Sequence, residues 1–412
     1  MHKFQIKKPD TGVWLLGALG DVATTLIAGT LAIRKDLASN SGMVTCLPLM
    51  NALDLVSLDN LVFGGLDIRP GTLPQAAEEI YRRSGTISRE TLDQIGPDLS
   101  AISEHIMFDP MTAWNPNAPA ADLPALTEIL KRMRSQLATF RERHQLDHIV
   151  VVNLVSAEPM PRDSAGHDTL VGLEKLIASD RKDLITPSMC GAYAAFMENC
   201  PYINFTPNNK STCGALRELA EQKRLPYYGN DGKTGETLVK TALAPMFAYR
   251  NLKVMSWEGV NMLGNSDGAT LNNPENRAAK LRNKEDVLPG ILGYPLHSGV
   301  TINYVPSLGD WKTAWDLIHF QGFLDVKMTM QFTWQGSDSI LAAPLVLDMI
   351  RLSEFAARQD EVGPMRHLSC FFKNPIDVEE MAFYPQFSML LEYADRHLRR
   401  RSSSHGKNSS LA

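Results

Sequence analysis

The chain has 412 residues, 44% of them hydrophobic and 21% charged, with a formal net charge of −5. That is the profile of an ordinary globular protein long enough for two domains. The weakly negative balance excludes a whole-chain basic field that would draw in nucleic acid, and no apolar run reaches the length needed to span a membrane.

Five dispersed cysteines (46, 190, 200, 213 and 370) point to free thiols in a reducing compartment, the cytoplasm, rather than to a disulfide framework. The opening "MHKFQIKKPDTG" lacks an apolar stretch of signal-peptide length. No H-E-x-x-H or paired C-x-x-C spacing occurs, so no metal site is expected.

"GVWLLGALGDVATTLIAGTLAIRK" (12–35) predicts a buried strand, a glycine turn and a helix. Backbone N–H groups at such a helix start face the pyrophosphate in dinucleotide sites. That makes Gly17, Ala18, Leu19, Gly20, Asp21 and Val22 cofactor-binding candidates. A tight strand–helix turn also uses glycine with nothing bound, and both readings stand here. Asp21 is awkward beside a phosphate unless it caps the helix and points away.

"LDNLVFGGLDI" (58–68) predicts a second buried strand; its Asp67 either accepts bonds from an adenosine ribose or starts a loop. "FDPMTAWNPNAPAADLP" (108–124) reads as a Pro-rich loop, and "LTEILKRMRSQLATFRERHQ" (126–145) as an amphipathic helix. "HIVVVNLVS" (148–156) reads as a strand covered on both faces, with Ser156 lying along a cofactor or simply ending the strand. "PYINFTP" (201–207) and "KVMSWEGV" (253–260) predict further strands, separated by helical stretches such as 213–222. This alternation implies a mostly parallel α/β sheet.

"RAAKLRNKEDVL" (277–288) puts Lys280 and Lys284 on one helical face, with Arg277 a turn earlier. A solvated basic face is the plain reading; a pocket for a phosphate or a developing alkoxide is the functional one. Beyond about 290, "SGVTINYVP" and "FLDVKMTMQFTWQG" alternate as in an antiparallel sheet with one packed face, and "DSILAAPLVLDMIRLSEFAARQ" (338–359) returns to buried helix. The expected fold is α/β. Residues 1–237 and 342–398 form a Rossmann-like domain, interrupted at 238–341 by an α+β domain with a mixed or antiparallel sheet. Residues 399–412, basic and then Ser-rich, read as a disordered end.

Several segments, in chain order, resemble the myo-inositol-1-phosphate synthase family. "FGGLDI" (63–68) is similar to its G-W-D-I, "PYINFTPNN" (201–209) to P-Y-I-N-G-S-P-Q-N, and "GNDGKTGET" (229–237) to G-D-D-x-K-S-G-Q-T. "LGNSDG" (263–268) resembles L-G-N-N-D-G, and "AKLRNKEDV" resembles S-K-E-x-S-K-x-x-V. "INYVPSLGDWKTAWD" (302–316), "SDSILAAPLVLD" (337–348) and "FFKNP" (371–375) resemble the G-D-S-K, E-D-S and K-A-P segments. The glycine loop departs from the family's G-x-G-G-x-x-G.

The resemblance implies NAD as a recycled cofactor and glucose 6-phosphate as substrate. C5 is oxidised, C6 enolises and attacks the C1 aldehyde, and C5 is reduced again. It further implies catalytic roles for Lys280, Lys284, Lys312, Lys373, Asp231 and Asp338, and a supporting place near the cofactor for Asp267 and Asp310. Asp67 would repel a 2′-phosphate, which favours NAD over NADP. The family's tetramers form through the inserted sheet, so a homotetramer is implied. Two other readings are carried. A related cyclase or dehydrogenase for another sugar phosphate is favoured by the altered "SWEGVNMLG" and "YVPSLG" beside the site. A non-catalytic NAD-binding protein is favoured by the glycine loop and opposed by the complete lysine set.

Overall fold

The computed structural model describes residues 10–118, 122–264 and 287–408. The apolar run of β1 (Thr11–Leu16) is buried along its whole length, as befits a strand with parallel neighbours on both sides and helices over both faces. Those neighbours are β2 (Leu61–Asp67) and β4 (His148–Asn153). With β3 (Ile106–Phe108), β5 (Tyr202–Asn204), β6 (Pro226–Gly229) and β11 (Gly363–Pro364) they form a seven-stranded parallel sheet in the order β11-β6-β5-β4-β1-β2-β3. The strand order reverses between β1 and β4, where Leu16 pairs with Asn153. At such a reversal the crossovers leave on opposite faces, so a crevice opens beyond the strands' C-terminal ends.

Several of the helices that cover this sheet begin at side-chain caps. The covering helices are α1 (Asp21–Arg34), the short α2 (Pro48–Asn51), α3 (Leu73–Ser84), α4 (Arg89–Ser103), α5 (Leu126–His144), α6 (Leu170–Ala178), α7 (Pro187–Met197) and α8 (Gly214–Gln222). Thr72 and Gln75 make a capping box on α3, Ser88 caps α4, and Thr186 precedes Pro187 at the start of α7. At Gly65 a Cβ would stand 2.3 Å from the Leu15 carbonyl oxygen. Only glycine lets β2 lie this close to the end of β1.

After β6, α9 (Gly235–Tyr249) leads to a second, four-stranded sheet in the order β10-β9-β7-β8. It comprises β7 (Lys253–Leu263), β8 (His297–Tyr304), β9 (Trp311–Gln321) and β10 (Lys327–Ser337); β7 and β8 are parallel and the other pairs antiparallel. The segment 253–260 therefore belongs to this mixed sheet and not to the parallel one. Its burial alternates residue by residue over much of its length, the mark of a strand with one packed face. Phe247, Trp257, Leu288 and Ile318 form a small core between this sheet, α9 and α10 (Val287–Leu292).

Ser337 caps α11 (Asp338–Arg358), which returns the chain to the large core. α12 (Phe383–Asn408) then runs into the stretch that composition marks as disordered. Leu390, Tyr393 and Ala394 bury one side of it, and the arginines that follow are good helix formers. β3, β6 and β11, absent from the sequence reading, have too few residues to show a period. Among the described residues no helix is long and apolar enough to cross a membrane.

Candidate active site

A cavity of about 560 Å³ occupies the crevice, with the ends of β1, β2 and β4 on one side and residues of β7, β8, β9 and α11 on the other. Gly17, Gly20, Asp21, Val22, Asp67 and Ser156 line it. Gly17 has φ +83°, and a Cβ there would meet the Leu154 carbonyl oxygen at 3.1 Å. Gly20 caps α1 without a side-chain hydrogen bond. The first-turn amides of α1 are thus left for a ligand at the cavity wall, the arrangement a pyrophosphate requires.

Ala18 and Leu19 depart from the glycine-turn reading of the sequence. Both are buried, neither lines the cavity, and their amides are already used. The Ala18 N–H donates to the Leu66 carbonyl (3.2 Å) and the Leu19 N–H to Asp67 Oδ2 (2.8 Å). Asp21 does not cap α1 either. It is the first helical residue and pairs with Arg83 at 2.8 Å, which neutralises it beside the phosphate position.

The cavity wall also carries two lysine–carboxylate pairs. The loop after β6 and the segment after the 3-10 turn Arg366–Phe371 run antiparallel. Their backbones bond from Asn230 N–H to Asn374 (2.8 Å) and from Lys373 N–H to Asp231 (2.7 Å). That ladder sets Lys373 Nζ 2.9 Å from Asp231 Oδ1, with both side chains nearly buried. Lys312, opposite Gly336 in the β9–β10 hairpin, places its Nζ 3.5 Å from Asp338 Oδ2 in the first turn of α11. All four residues line the cavity.

Asp310 does not line the cavity. It lies one layer behind, buried, and accepts hydrogen bonds from the hydroxyls of Ser337 and Ser339 at the start of α11. Burial raises its carboxyl above the usual range, and Asp21 and Asp338 add to that. Lys280, Lys284 and Asp267 lie outside the described residues.

Comparison with known proteins now places the chain. Residues 11–393 match the family model described as myo-inositol-1-phosphate synthase, a NAD-binding family. The chain belongs to the myo-inositol-1-phosphate synthase family. It is 35% identical over 394 residues to inositol-3-phosphate synthase 1 of Bacteroides thetaiotaomicron, covering 90% of this chain and 91% of that protein. To inositol-3-phosphate synthase of Dictyostelium discoideum it is 29% identical, over 87% of this chain and 77% of that one. The crystal structure of inositol-3-phosphate synthase from Caenorhabditis elegans superposes with a TM-score of 0.83 at 25% identity, over 94% of this chain and 86% of that one.

Three buried ionisable groups of this synthase-family chain, Glu158, Lys233 and Lys240, escaped the sequence reading, and of these Glu158 lines the cavity. Its Oε1 accepts the Ser188 N–H at the start of α7 (2.9 Å), and its Oε2 is buried without a partner among the described residues. Burial lifts its carboxyl to about 7. Lys233 is buried, donates to Gln386 Oε1 of α12 (2.5 Å) and is pulled down to about 8 by that burial.

Lys240 lies between Glu236 (2.6 Å) and Asp316 (3.6 Å), directly behind cavity-lining Asn261, which donates to Glu236. Burial, then the charge of Glu236, raises Asp316 to about 6. Lys240 sits one helical turn after Glu236 in "GETLVK", the spacing of an ion pair. Nothing comparable marks Glu158.

Proposed function

We infer that the chain is an NAD-dependent isomerase that cyclises D-glucose 6-phosphate to 1L-myo-inositol 1-phosphate. The observation that carries this reading is the convergence of Lys312–Asp338 and Lys373–Asp231 on one cavity that is also lined by a glycine turn at the reversal of strand order. The first-turn amides of α1 with Gly17, Gly20 and Ser156 are the residues that would hold NAD, which when bound supplies reversible hydride transfer at C5 of the sugar.

The remaining work falls to charge and position. Oxygen at C5, at the enolate and at C1 gathers negative charge in turn. Lys312 and Lys373 present fixed ammonium groups to these oxygens. Their partner carboxylates hold them in place, so little reorganisation is needed as charge develops. The site is largely buried, which strengthens each interaction. Asp310, through Ser337 and Ser339, braces the helix start that carries Asp338. In this reading Lys280 joins Lys312 and Lys373 at the C5 and C1 oxygens, Lys284 holds the phosphate, and Asp267 supports the cofactor.

A homotetramer joined through the mixed sheet is part of the same reading. It is supported by the exposed Phe323, Leu324 and Val326 at the β9–β10 turn and is checked by the mass of the native particle in solution. All five cysteines are free, which supports a reducing compartment.

The test is phosphorus NMR of the protein with glucose 6-phosphate and catalytic NAD. A new phosphomonoester matching inositol 1-phosphate, without accumulation of NADH, is expected. Absence of turnover with NAD still bound would overturn glucose 6-phosphate as the substrate and favour another sugar phosphate.

A further inference from the structure

Glu236 stands where the family segment G-D-D-x-K-S-G-Q-T carries glutamine. It lies in the first turn of α9, and the exchange replaces a side chain that donates and accepts by one that, ionised, only accepts. Glu236 is 1% exposed, and each of its oxygens meets a different donor. Oε1 lies 2.6 Å from Lys240 Nζ, one helical turn on, and Oε2 accepts from Asn261 Nδ2 at 2.5 Å. Lys240 is 3.6 Å from Asp316, whose Oδ1 also accepts the Trp257 Nε1–H at 2.7 Å, so Glu236 is its nearer partner. The strand makes room for this carboxylate: a Cβ at Gly259 of β7 would stand 2.3 Å from Glu236 Oε1.

Asn261 is where the pair meets the cavity. It lines the wall, is fully buried, and its Oδ1 has no partner among the described residues. A carboxylate paired with an ammonium group cannot donate, so the Asn261 amide turns its NH2 to Glu236 and its carbonyl oxygen away. Asn261 sits opposite Ala314, two residues along β9 from Lys312. The amide and the Lys312 side chain therefore share one face of the sheet. A buried carbonyl oxygen without a donor is costly, and a ligand that donates to it removes the cost. Glutamine at 236 would reverse this polarity. Lys240 has only donors and would claim the glutamine oxygen. The glutamine NH2 would then face Asn261, whose amide would turn over and present its own NH2 to the cavity.

We propose that Glu236 is a positioning residue that sets the Asn261 amide as a hydrogen-bond acceptor for an unreacting hydroxyl of the sugar phosphate. This rests on the cyclase reading given above. An amide oxygen only accepts, so its partner has to keep a proton throughout the reaction. The C5 oxygen loses its proton on oxidation, C1 reacts as an aldehyde, and the phosphate dianion has none. That leaves the hydroxyls at C2, C3 and C4. A buried acceptor of this kind favours the substrate that carries the hydroxyl over an analogue that lacks it.

The experiment measures kcat/KM of the full chain with NAD+ for glucose 6-phosphate and its 2-, 3- and 4-deoxy analogues, in the parent, Glu236→Gln and Asn261→Ala. Differences in intrinsic reactivity cancel when the substrate ratios of the variants are compared. In the parent, one deoxy analogue is expected to fall about thirtyfold or more below glucose 6-phosphate. Glu236→Gln should lower glucose 6-phosphate about tenfold or more and that analogue less than about threefold, so that the discrimination collapses. Asn261→Ala should erase the same difference. A Glu236 that only supports the fold would lower all four substrates by one factor, and that result would overturn the proposal. Discrimination retained in Asn261→Ala would overturn it too, and this variant decides the matter even where Glu236→Gln fails to fold. A parent that accepts all three analogues equally would overturn the inference and leave the cyclase reading intact. No turnover of glucose 6-phosphate by the parent would overturn both together.

Discussion

Two parts of the cavity wall, the glycine turn and the lysine pairs, would hold ligands by different means in the proposed reading. At the glycine turn the contacts proposed are backbone ones: Gly17 and Gly20 shape the chain, and the amides that would meet a ligand belong to the first turn of α1. The acids there are occupied within the protein, Asp67 by the backbone N–H groups of Leu19 and Arg69 and Asp21 by the Arg83 guanidinium. At the lysine pairs a ligand would meet side-chain charge directly, from Lys312 and Lys373, each paired with a carboxylate. A backbone site tolerates drift in side-chain identity as long as its path is kept. A charge site does not, because no neighbour can supply a missing ammonium group at the same point. This explains how the glycine loop departs from its family's wording while the four described lysine and carboxylate positions are all kept.

The largest expected effects come from breaking the lysine pairs. Lys373→Ala should lower turnover by about 10³ or more, the scale for losing a fixed oxyanion partner. It also leaves Asp231 buried and unpaired, which costs about 3 kcal/mol of stability. Lys312→Ala should lower turnover by about 10²–10³. Its pair is longer and more open, so its stability cost stays below about 1 kcal/mol. Initial rates of inositol phosphate formation with denaturant midpoints for both variants separate the two. Equal stability losses would show that burial at Asp231 is not what distinguishes the pairs.

Much of this was legible in the chain before the fold was known. The β1–turn–α1 unit and the strand ending at Asp67 carry local patterns of residue type and spacing, whereas Lys312, Lys373, Asp231 and Asp338 stand out only through the resemblance of their segments to the family's. Which carboxylate meets which lysine was not legible. Asp231 and Lys373 are 142 residues apart and meet only because two loops form a short antiparallel bridge. Nor can a sequence say which amides of a glycine turn are spent inside the protein, which is why Ala18 and Leu19 looked available. Glu158 was hidden for a third reason. A single glutamate after a strand has no periodicity, and its character comes wholly from burial at the start of α7.

Glu158 offers the next contrast, a carboxyl on the cavity wall with no lysine partner. Burial raises it to about 7, against about 4.3 in an unfolded chain. The folded protein therefore keeps a proton that the unfolded chain has released, and stability from this group falls as pH rises from about 4.5 to about 7, then levels. Glu158→Gln carries no such proton. Relative to the parent it should gain roughly 3–4 kcal/mol between those limits, and the gain should be absent near pH 4. Asp348 and Asp316, both raised to about 6 by burial, keep part of the slope in both proteins. Denaturant midpoints from pH 4 to 8 for the pair measure the difference, and parallel curves would mean that Glu158 is ionised throughout.

The smallest effect on ligand binding is expected where the family pattern is most altered. Leu19→Gly restores the missing glycine. If the turn works through its backbone path and the first amides of α1, this change gives the cofactor nothing. The Leu19 N–H is committed to Asp67, and a glycine keeps the same N–H. The dissociation constant for NAD+ should stay within about threefold, since no hydrogen bond is gained or lost. Stability should fall by about 2–4 kcal/mol, because the side chain is buried in the large core and its removal leaves a cavity. Calorimetry of NAD+ binding beside thermal unfolding reads both quantities on one sample. A tenfold gain in NAD+ affinity would mean that the leucine obstructs the pyrophosphate, and that the glycine turn is governed by its side chains after all.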